Sequence, residues 1–457
     1  YVANAVAARK DRGDLWRHVE EAEAVPRARW MHVGDNEHSD IQAACDRRIP
    51  YLHVAHPAKI LAQSGFVRDE GDLARTWSSD LVIGHAMLTL CRNPFLDRPG
   101  PPYLSLGSAR DVGYVVFGPL MLLFMSWLIR HEALGRVERL YFLAREGDFL
   151  VKVYRLIRER YGLRHLPEGR YFHVSRQVAI GAALGTGFRP DLVTGAGRYV
   201  GSIQSLLWNR ASFTAPAHLG LDSRDVRLPA DAPVVERVMT DLEPEIMAHG
   251  ADLNARFRAY ARQEGLDAGG LQAVVDVGYS ATIQKMMQLA LGQPLIGLYM
   301  TTFDAAQMVE RDGGAAFSCF RAGAENPETS SLPVLAYGLA VEAFLTAPHG
   351  QVVGYEIAGE RIGPLFKADP RTPAEHGILA ELHAGAEQYI IDTLDLYGPS
   401  LLQADIPSGG PQEFLRLLMQ GLIATPSEPM RTLGVEDDFC GLPIHKVYAG
   451  AGSPASG

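Results

Sequence analysis

Residues 271–291, LQAVVDVGYSATIQKMMQLAL, constrain the fold of this chain more than any other stretch. A mostly apolar run ends at an acid, Asp276. A short loop of small and hydroxyl residues follows, Gly278-Tyr279-Ser280-Ala281-Thr282. An apolar-periodic segment then begins at Ile283, which reads as a helix. A buried strand, an acid, a small-residue turn and a helix together form a phosphate-cradle pattern. The loop amides and the helix N-terminus point at one spot and favour an anion there. Asp276, at the carboxyl end of its strand, faces the crevice in which open α/β sheets bind ligands. The same residues also suit an ordinary strand–helix unit in which a Ser or Thr caps the helix.

A chain of 457 residues has length for two or three domains, each with its own core. With 47% hydrophobic and 21% charged residues it has the balance of a soluble globular protein. A net charge of −10 argues against nucleic acid as the main partner, since nothing neutralises a phosphate backbone in bulk. Cys45, Cys91, Cys319 and Cys440 are scattered, without metal-ligand spacing. They point to a reducing, cytoplasmic compartment and to neither a disulfide framework nor a zinc site. No secretory leader is visible, although the sequence starts at Tyr1. Residues 112–129, VGYVVFGPLMLLFMSWLI, carry no charge over 18 positions. Gly113, Gly118 and Pro119 within them favour a buried core helix over a membrane span, and the segment also suits contact with the inner face of a membrane.

Two further strand–turn–helix units precede the 271–291 stretch. Residues 139–144 form an apolar strand that ends in Arg145-Glu146-Gly147-Asp148, and residues 149–161 continue as a helix. An arginine at a strand end, with Gly147 allowing close approach, suits a doubly charged oxyanion; a surface ion pair of Arg145 with Glu146 or Asp148 is the plainer alternative. Residues 171–174 read as a third strand, ending in Ser175-Arg176-Gln177, where Arg176 is either a second site cation or a solvated arginine. A Gly- and Pro-rich region, 185–233, could form a lid or an acceptor-binding insert. Residues 234–264 read as helical with a break at Pro244, and 294–302 as the next strand.

A cation-bearing loop, then an arginine, then an acid followed by a hydroxyl loop is an order that resembles type I phosphoribosyltransferases. In that family a first loop binds pyrophosphate, and a later strand with its acids and loop holds the ribose hydroxyls and the 5-phosphate. Residues 273–282, AVVDVGYSAT, are a loose version of the second motif, with one acid and without the paired glycines. FLAREGDFL, YFHVSRQ, VVDVGYSATIQ and VEAFLTAPHGQVVGY further resemble a module of bacterial polysaccharide biosynthesis, similar to the glycan phosphoribosyltransferases. Those enzymes transfer 5-phosphoribosyl from phosphoribosyl pyrophosphate (PRPP) to a glycan. The resemblance implies that Arg145, Gly147 and Arg176 take the pyrophosphate with Mg²⁺. It also implies that Asp276 takes the ribose hydroxyls and that Gly278, Tyr279, Ser280, Ala281 and Thr282 take the 5-phosphate.

The first 65 residues carry a different signature. A strand at 30–33 runs into Gly34-Asp35-Asn36-Glu37-His38-Ser39-Asp40, then a helix at 41–47 and a strand at 49–54. Asp35 and Asp40, paired at a strand end, suit Mg²⁺, or they merely cap the helix. The spacing resembles motif IV of haloacid-dehalogenase-type (HAD) phosphatases, and residues 9–16 resemble that family's motif III. The resemblance implies that Lys10 holds a phosphate. The family's N-terminal DxD nucleophile motif does not precede Lys10, so residues 1–65 are expected to be the C-terminal part of a HAD domain that does not hydrolyse phosphate esters by itself.

In the last third, residues 332–347 form an apolar helix with one acid, Glu342, inside it, followed by Pro348-His349-Gly350. A carboxylate on so apolar a helix is either functional or paired, for example with Arg321. Glu342 and His349, with Glu146 and Asp148, are candidate proton acceptors. Residues 352–356 and 360–364 read as a hairpin. Residues 373–396 and 412–424 read as amphipathic helices packed on the core or on an oligomer face; 425–457 read as peripheral, with 453–457 disordered.

The expectation is an α/β protein: a partial HAD-like domain over 1–65, a linker over 66–110, a phosphoribosyltransferase-like domain over 111–365, and a helical extension over 366–457. Its expected activity is transfer of 5-phosphoribosyl from PRPP to a glycan or lipid-linked oligosaccharide, with a HAD domain to remove the 5-phosphate. The alternatives are a HAD phosphatase with a large substrate-binding region, and a non-catalytic scaffold of a glycan assembly complex.

Overall fold

We describe a computed structural model of the chain over residues 3–56, 59–60, 77–90, 106, 108–267, 269–323 and 332–404, with 415–416, 419, 431, 434–437 and 440–446 near the end. Residues 412–424 lie mostly, and 453–457 wholly, outside this set. The side chain of Arg321 also falls outside it. The chain separates into two compact units, Tyr1–Leu106 and Gly107–Gly457.

In the first unit, strand β1 (His32–Gly34) pairs in parallel with β2 (Tyr51–His53). The connection is a wide helical turn, Glu37–Gln42, continued by Ala43–Cys45. Asn36 caps it by accepting from the amides of His38 and Ser39. Trp16, Ala43, Ala44 and Ile49 form its small core. A helix, Trp77–Leu90, occupies the stretch expected as a linker and buries Val82, Ile83 and Ala86.

The second unit is α/β. Its strands are β3 (Arg139–Leu143), β4 (Glu168–Phe172), β5 (Tyr199–Ser202), β6 (Asp225–Leu228), β7 (Gln272–Asp276), β8 (Leu295–Phe303) and β9 (Ala315–Gly323). Five of them form one parallel sheet in the order β4-β3-β7-β8-β9. Parallel strands buried on both faces read as continuous apolar runs. Residues 140–143 and 273–275 do so, and all are fully buried. Alternation of side chains splits β3 between two cores. Tyr141 and Leu143 join the helices Arg176–Leu184, Glu243–Glu264 and Thr282–Leu291. Phe142 turns to the other face, against Tyr154 of the helix Gly147–Arg160.

Helix Ala109–Arg130 is long and apolar enough to cross a membrane, yet 89% of its most apolar window is buried within the second unit. Its cover is helix Pro373–Tyr397. Small residues let the two approach closely: a Cβ on Gly385 would stand 2.1 Å from the Arg110 carbonyl oxygen, and one on Gly113 would stand 1.9 Å from that of Leu382. The amphipathic helix expected at 373–396 therefore packs on the core. The hairpin expected at 352–364 is strand β10 (Val352–Ala358) with β11 (Arg361–Phe366). Two short strands near the end, β12 (Gly434–Asp437) and β13 (Leu442–Lys446), pair antiparallel.

Candidate functional site

Strand order brings the two loops together. The chain passes from β3 to β4 on one side, then returns across β3 to place β7 on the other. Between β3 and β7 the winding direction switches, and the crevice outside the strand ends opens there. Register makes the ends level, because Phe142 pairs with Val275. Leu143 and Asp276 are the last residues of their strands. A cleft of about 330 Å³ lies at this point. Its walls include Arg145 and Glu146 after β3, Ser175 and Arg176 after β4, and Asp276, Gly278, Tyr279, Ser280 and Thr282 from β7 onward. Glu342, Gln351 and Cys440 complete it.

Each loop is shaped by contacts with the sheet behind it. Gly278 has φ 138°, and a Cβ there would lie 2.0 Å from the Thr301 carbonyl oxygen of β8. Only glycine fits that approach. Backbone bonds on either side fasten the loop to β8: Thr301 donates to the Val277 carbonyl at 2.9 Å, and Phe303 to that of Tyr279 at 3.0 Å. The N-cap of helix Thr282–Leu291 is Ala281, and no side chain caps it. Ser280 and Thr282 therefore do not act as caps, and both line the cleft at the start of this helix. The helix after β4 is arranged differently. Ser175 accepts from the Val178 amide at 3.1 Å and donates to the Val352 carbonyl at 2.7 Å.

After β3, Gly147 lets the helix lie against the strand, since a Cβ would come 2.6 Å from the Phe142 carbonyl carbon. The Arg145 amide donates to its neighbour, the Glu146 carboxylate, at 3.0 Å. The peptides Ala144–Arg145 and Gly278–Tyr279, one in each loop, are cis.

Electrostatics set Asp276 apart. It is 7% exposed, and its carboxylate accepts from the Val277 amide at 2.8 Å. Burial pushes its carboxyl well above the usual carboxylate range; the charges of Glu146 and Glu342 push the same way, and Arg176 pulls against them. A buried acid facing two further acids and a cation is an arrangement typical of functional clefts. Tyr279 is raised as well, first by burial and then by Glu342. The placement of Glu342 follows from its helix, Gly338–Leu345. Phe344 stacks on Phe117 at a ring separation of 3.8 Å and turns that face inward. Two residues earlier, about 200° around the helix, Glu342 faces the cleft.

Other expected site residues lie elsewhere. Asp148 binds Lys152 at 2.6 Å and is not part of the cleft wall. Gly147 and Ala281 shape the loops from behind. His349 sits outside the wall in an aromatic cluster. Its Nδ1 donates to the Gly350 carbonyl at 2.8 Å, so its Nε2 accepts from the Tyr171 hydroxyl, also at 2.8 Å. Burial lowers its pKa, and burial together with His349 holds neighbouring His173 at about 4.

In the first unit, Lys10 and His32 both bond the Asp40 carboxylate, the histidine at 2.9 Å. The Asn36 amide adds a third bond at 3.1 Å. Burial raises the Asp40 pKa, but these partners outweigh it and hold the group at about 2. Asp35 is exposed, and its backbone carbonyl accepts from His53. Among the described residues no three His, Cys, Asp or Glu side chains are grouped as a metal site.

Several residues of the cleft wall are not among the expected site residues, Ser175, Gln351 and Cys440 among them. Gln351 carried no signal. Cys440 lies in a stretch expected to be peripheral, and the hairpin β12–β13 instead brings it to the wall. Compared with known proteins, the chain matches no family model, and no curated protein matches its sequence.

Proposed function

We propose that the second unit binds PRPP and transfers its 5-phosphoribosyl group to a hydroxyl of a glycan or lipid-linked oligosaccharide. One observation carries the reading: Arg145, Arg176 and the uncapped 278–282 loop line one cleft around the buried Asp276. Two separated anion-binding elements with an acid between them suit a ligand phosphorylated at both ends of a polyol. The fit agrees with the resemblance of these segments to the glycan phosphoribosyltransferases.

In this reading Arg145 and Arg176 take the pyrophosphate, Asp276 a ribose hydroxyl and the loop amides the 5-phosphate. The acceptor oxygen bonds to C1 while the bond from C1 to pyrophosphate breaks. The acceptor proton passes to Glu342, which lines the cleft from helix Gly338–Leu345, while Asp148 and His349 stand outside the cleft. Charge builds on the departing pyrophosphate, where the arginines stabilise it most. Mg²⁺ would arrive with the pyrophosphate and take Glu146 as a protein ligand, as Mg²⁺ does when one or two carboxylates assist substrate phosphates. It would neutralise charge on the leaving group. The test is pyrophosphate release from PRPP and Mg²⁺ across a panel of glycan acceptors; release no higher than in buffer would sink the proposal.

The first unit is read as part of a HAD-type phosphatase domain, with Lys10 and Asp40 at its phosphate end. Phosphate release that persists in an Asp35→Asn variant of the full-length protein would end that reading.

A further inference from the structure

We infer that Tyr279 is a positioning residue: its phenol reaches from the loop after β7 to helix Gly338–Leu345 and holds the Glu342 carboxylate where the accepting hydroxyl meets it. The role of Glu342 rests on the function proposed above; the pairing of the two side chains does not. Tyr279 is fixed from behind by β8. Its carbonyl accepts from the Phe303 amide at 3.0 Å. Its ring lies over that of Phe303, with centroids 5.9 Å apart and an interplanar angle of 29°. The hydroxyl ends beside the first residue of helix Gly338–Leu345: a Cβ on Gly338 would stand 3.0 Å from it, tighter than ordinary contact. Glycine at 338 leaves the phenol its place.

The helix brings the acid to the same spot. Gly338 and Glu342 are four residues apart and share one helix face. A helical side chain leans toward the N-terminus and covers the turn before its own Cα, so that of Glu342 lies over the turn that begins at Gly338. Tyr279 and Glu342 both line the cleft. The tyrosine hydroxyl is shut off from solvent, and no group of its own loop takes its proton. Burial first, then the charge of Glu342 and its pull as a hydrogen-bond acceptor, keep the phenol protonated, with Glu146 and Asp276 adding less. A buried donor left unpaired is costly, and a bond to a carboxylate is among the stronger ones. The pairing also removes freedom from a long glutamate side chain, so the carboxylate is presented in one place.

The experiment uses the full chain in two double-variant cycles. The first reads pyrophosphate release from PRPP and Mg²⁺ with the panel of glycan acceptors. Tyr279→Phe keeps the ring on Phe303 and loses only the hydroxyl. Its kcat should fall about 10- to 100-fold, as for a misplaced reacting group, while the KM for PRPP changes by less than about twofold. In a Glu342→Gln background the same change should cost less than about twofold more, since residues that act as a unit are not additive. An unchanged kcat, a loss carried by KM alone, or equal losses in both backgrounds overturns the positioning role. The second cycle needs no substrate. It compares the Tm of wild type, Tyr279→Phe, Glu342→Ala and the double variant. The loss in the double variant should differ from the sum of the single losses by about 2 °C or more, as expected for side chains in contact. Additive losses mean that the two side chains do not meet, and the inference fails. If wild type releases no pyrophosphate, the donor assignment falls, and the Tm cycle alone decides the pair.

Discussion

Asp40 follows strand β1 through a turn at Gly34; Asp276 ends strand β7 before a turn at Gly278. In sequence both are acids in strand–small-residue–helix units. In the structure Asp40 is surrounded by donors, Lys10, His32 and the Asn36 amide, and is held at about 2. Asp276 is buried beside Glu146 and Glu342 and is pushed upward. The first carboxylate already has three hydrogen-bond partners within its own unit. The second sits in a field in which burial and two like charges outweigh Arg176 and the Val277 amide and disfavour its charge. Local pattern alone does not distinguish an acid held charged from one whose charge is disfavoured, because the distinction depends on what other elements bring to face it.

Substitutions can break or sharpen this contrast. The largest effect is expected at a cation of the cleft that holds Asp276: Arg145→Ala should lower PRPP-dependent pyrophosphate release about 100-fold or more, measured as kcat/KM. A loss under tenfold would mean that the arginine does not meet the leaving group. Next comes Gly278→Ala, where both the positive φ and the 2.0 Å approach to Thr301 are violated. It should destabilise the second unit by about 3 kcal/mol, read from urea unfolding.

Asp40→Asn tests the satisfied acid. A carboxyl held at about 2 in place of 3.8 is worth about 2 kcal/mol at neutral pH, less for the screening of a half-open lysine, so a loss of about 1–2 kcal/mol is expected. Because the folded-state pKa is depressed, this contribution is present above the unfolded value and disappears as pH falls through the folded one. Wild type and variant should therefore converge near pH 2 in amide-exchange or urea measurements on the first unit.

For Asp276→Asn the sign reverses. Its folded-state pKa is raised, so wild-type stability is full at low pH and declines as pH rises through that pKa. The Tm of the variant should rise relative to wild type with increasing pH; a gap that narrows instead would mean that Asp276 has a partner in the fold. The smallest effect is expected at Ser280→Ala. No cap bond is lost, so stability should change by less than about 0.5 kcal/mol, while ligand-induced stabilisation weakens.

Much of the sheet was legible from residues. Runs such as 140–143 and 272–276 can be little else than buried parallel strands, and the strand-end loops after them follow from short-range chemistry. The helices around Pro244 and after Thr372 were legible for the same reason: proline placement and apolar period act locally. Strand β9, Ala315–Gly323, escaped notice because its mixed residues gain strand character only by pairing with β8. Residues 66–110 read as a linker despite the apolar run 81–90, because Pro94, Pro99, Pro101 and Pro102 break the sequence beside it; that run lies in helix Trp77–Leu90.

The sequence alone determined that this chain builds strands ending in charged or hydroxyl loops, since apolar runs, glycines and capping residues act within a few positions of themselves. Tertiary structure decided which of those loops share a cleft. It set the order β4-β3-β7, levelled the ends of β3 and β7, left Glu342 facing the cleft by burying Phe344 on the other side of its helix, kept His349 and Asp148 out of the wall, and brought Cys440 in from beyond residue 430. Those outcomes depend on packing between elements far apart in the chain, where burial and like charge set the ionisation of Asp276.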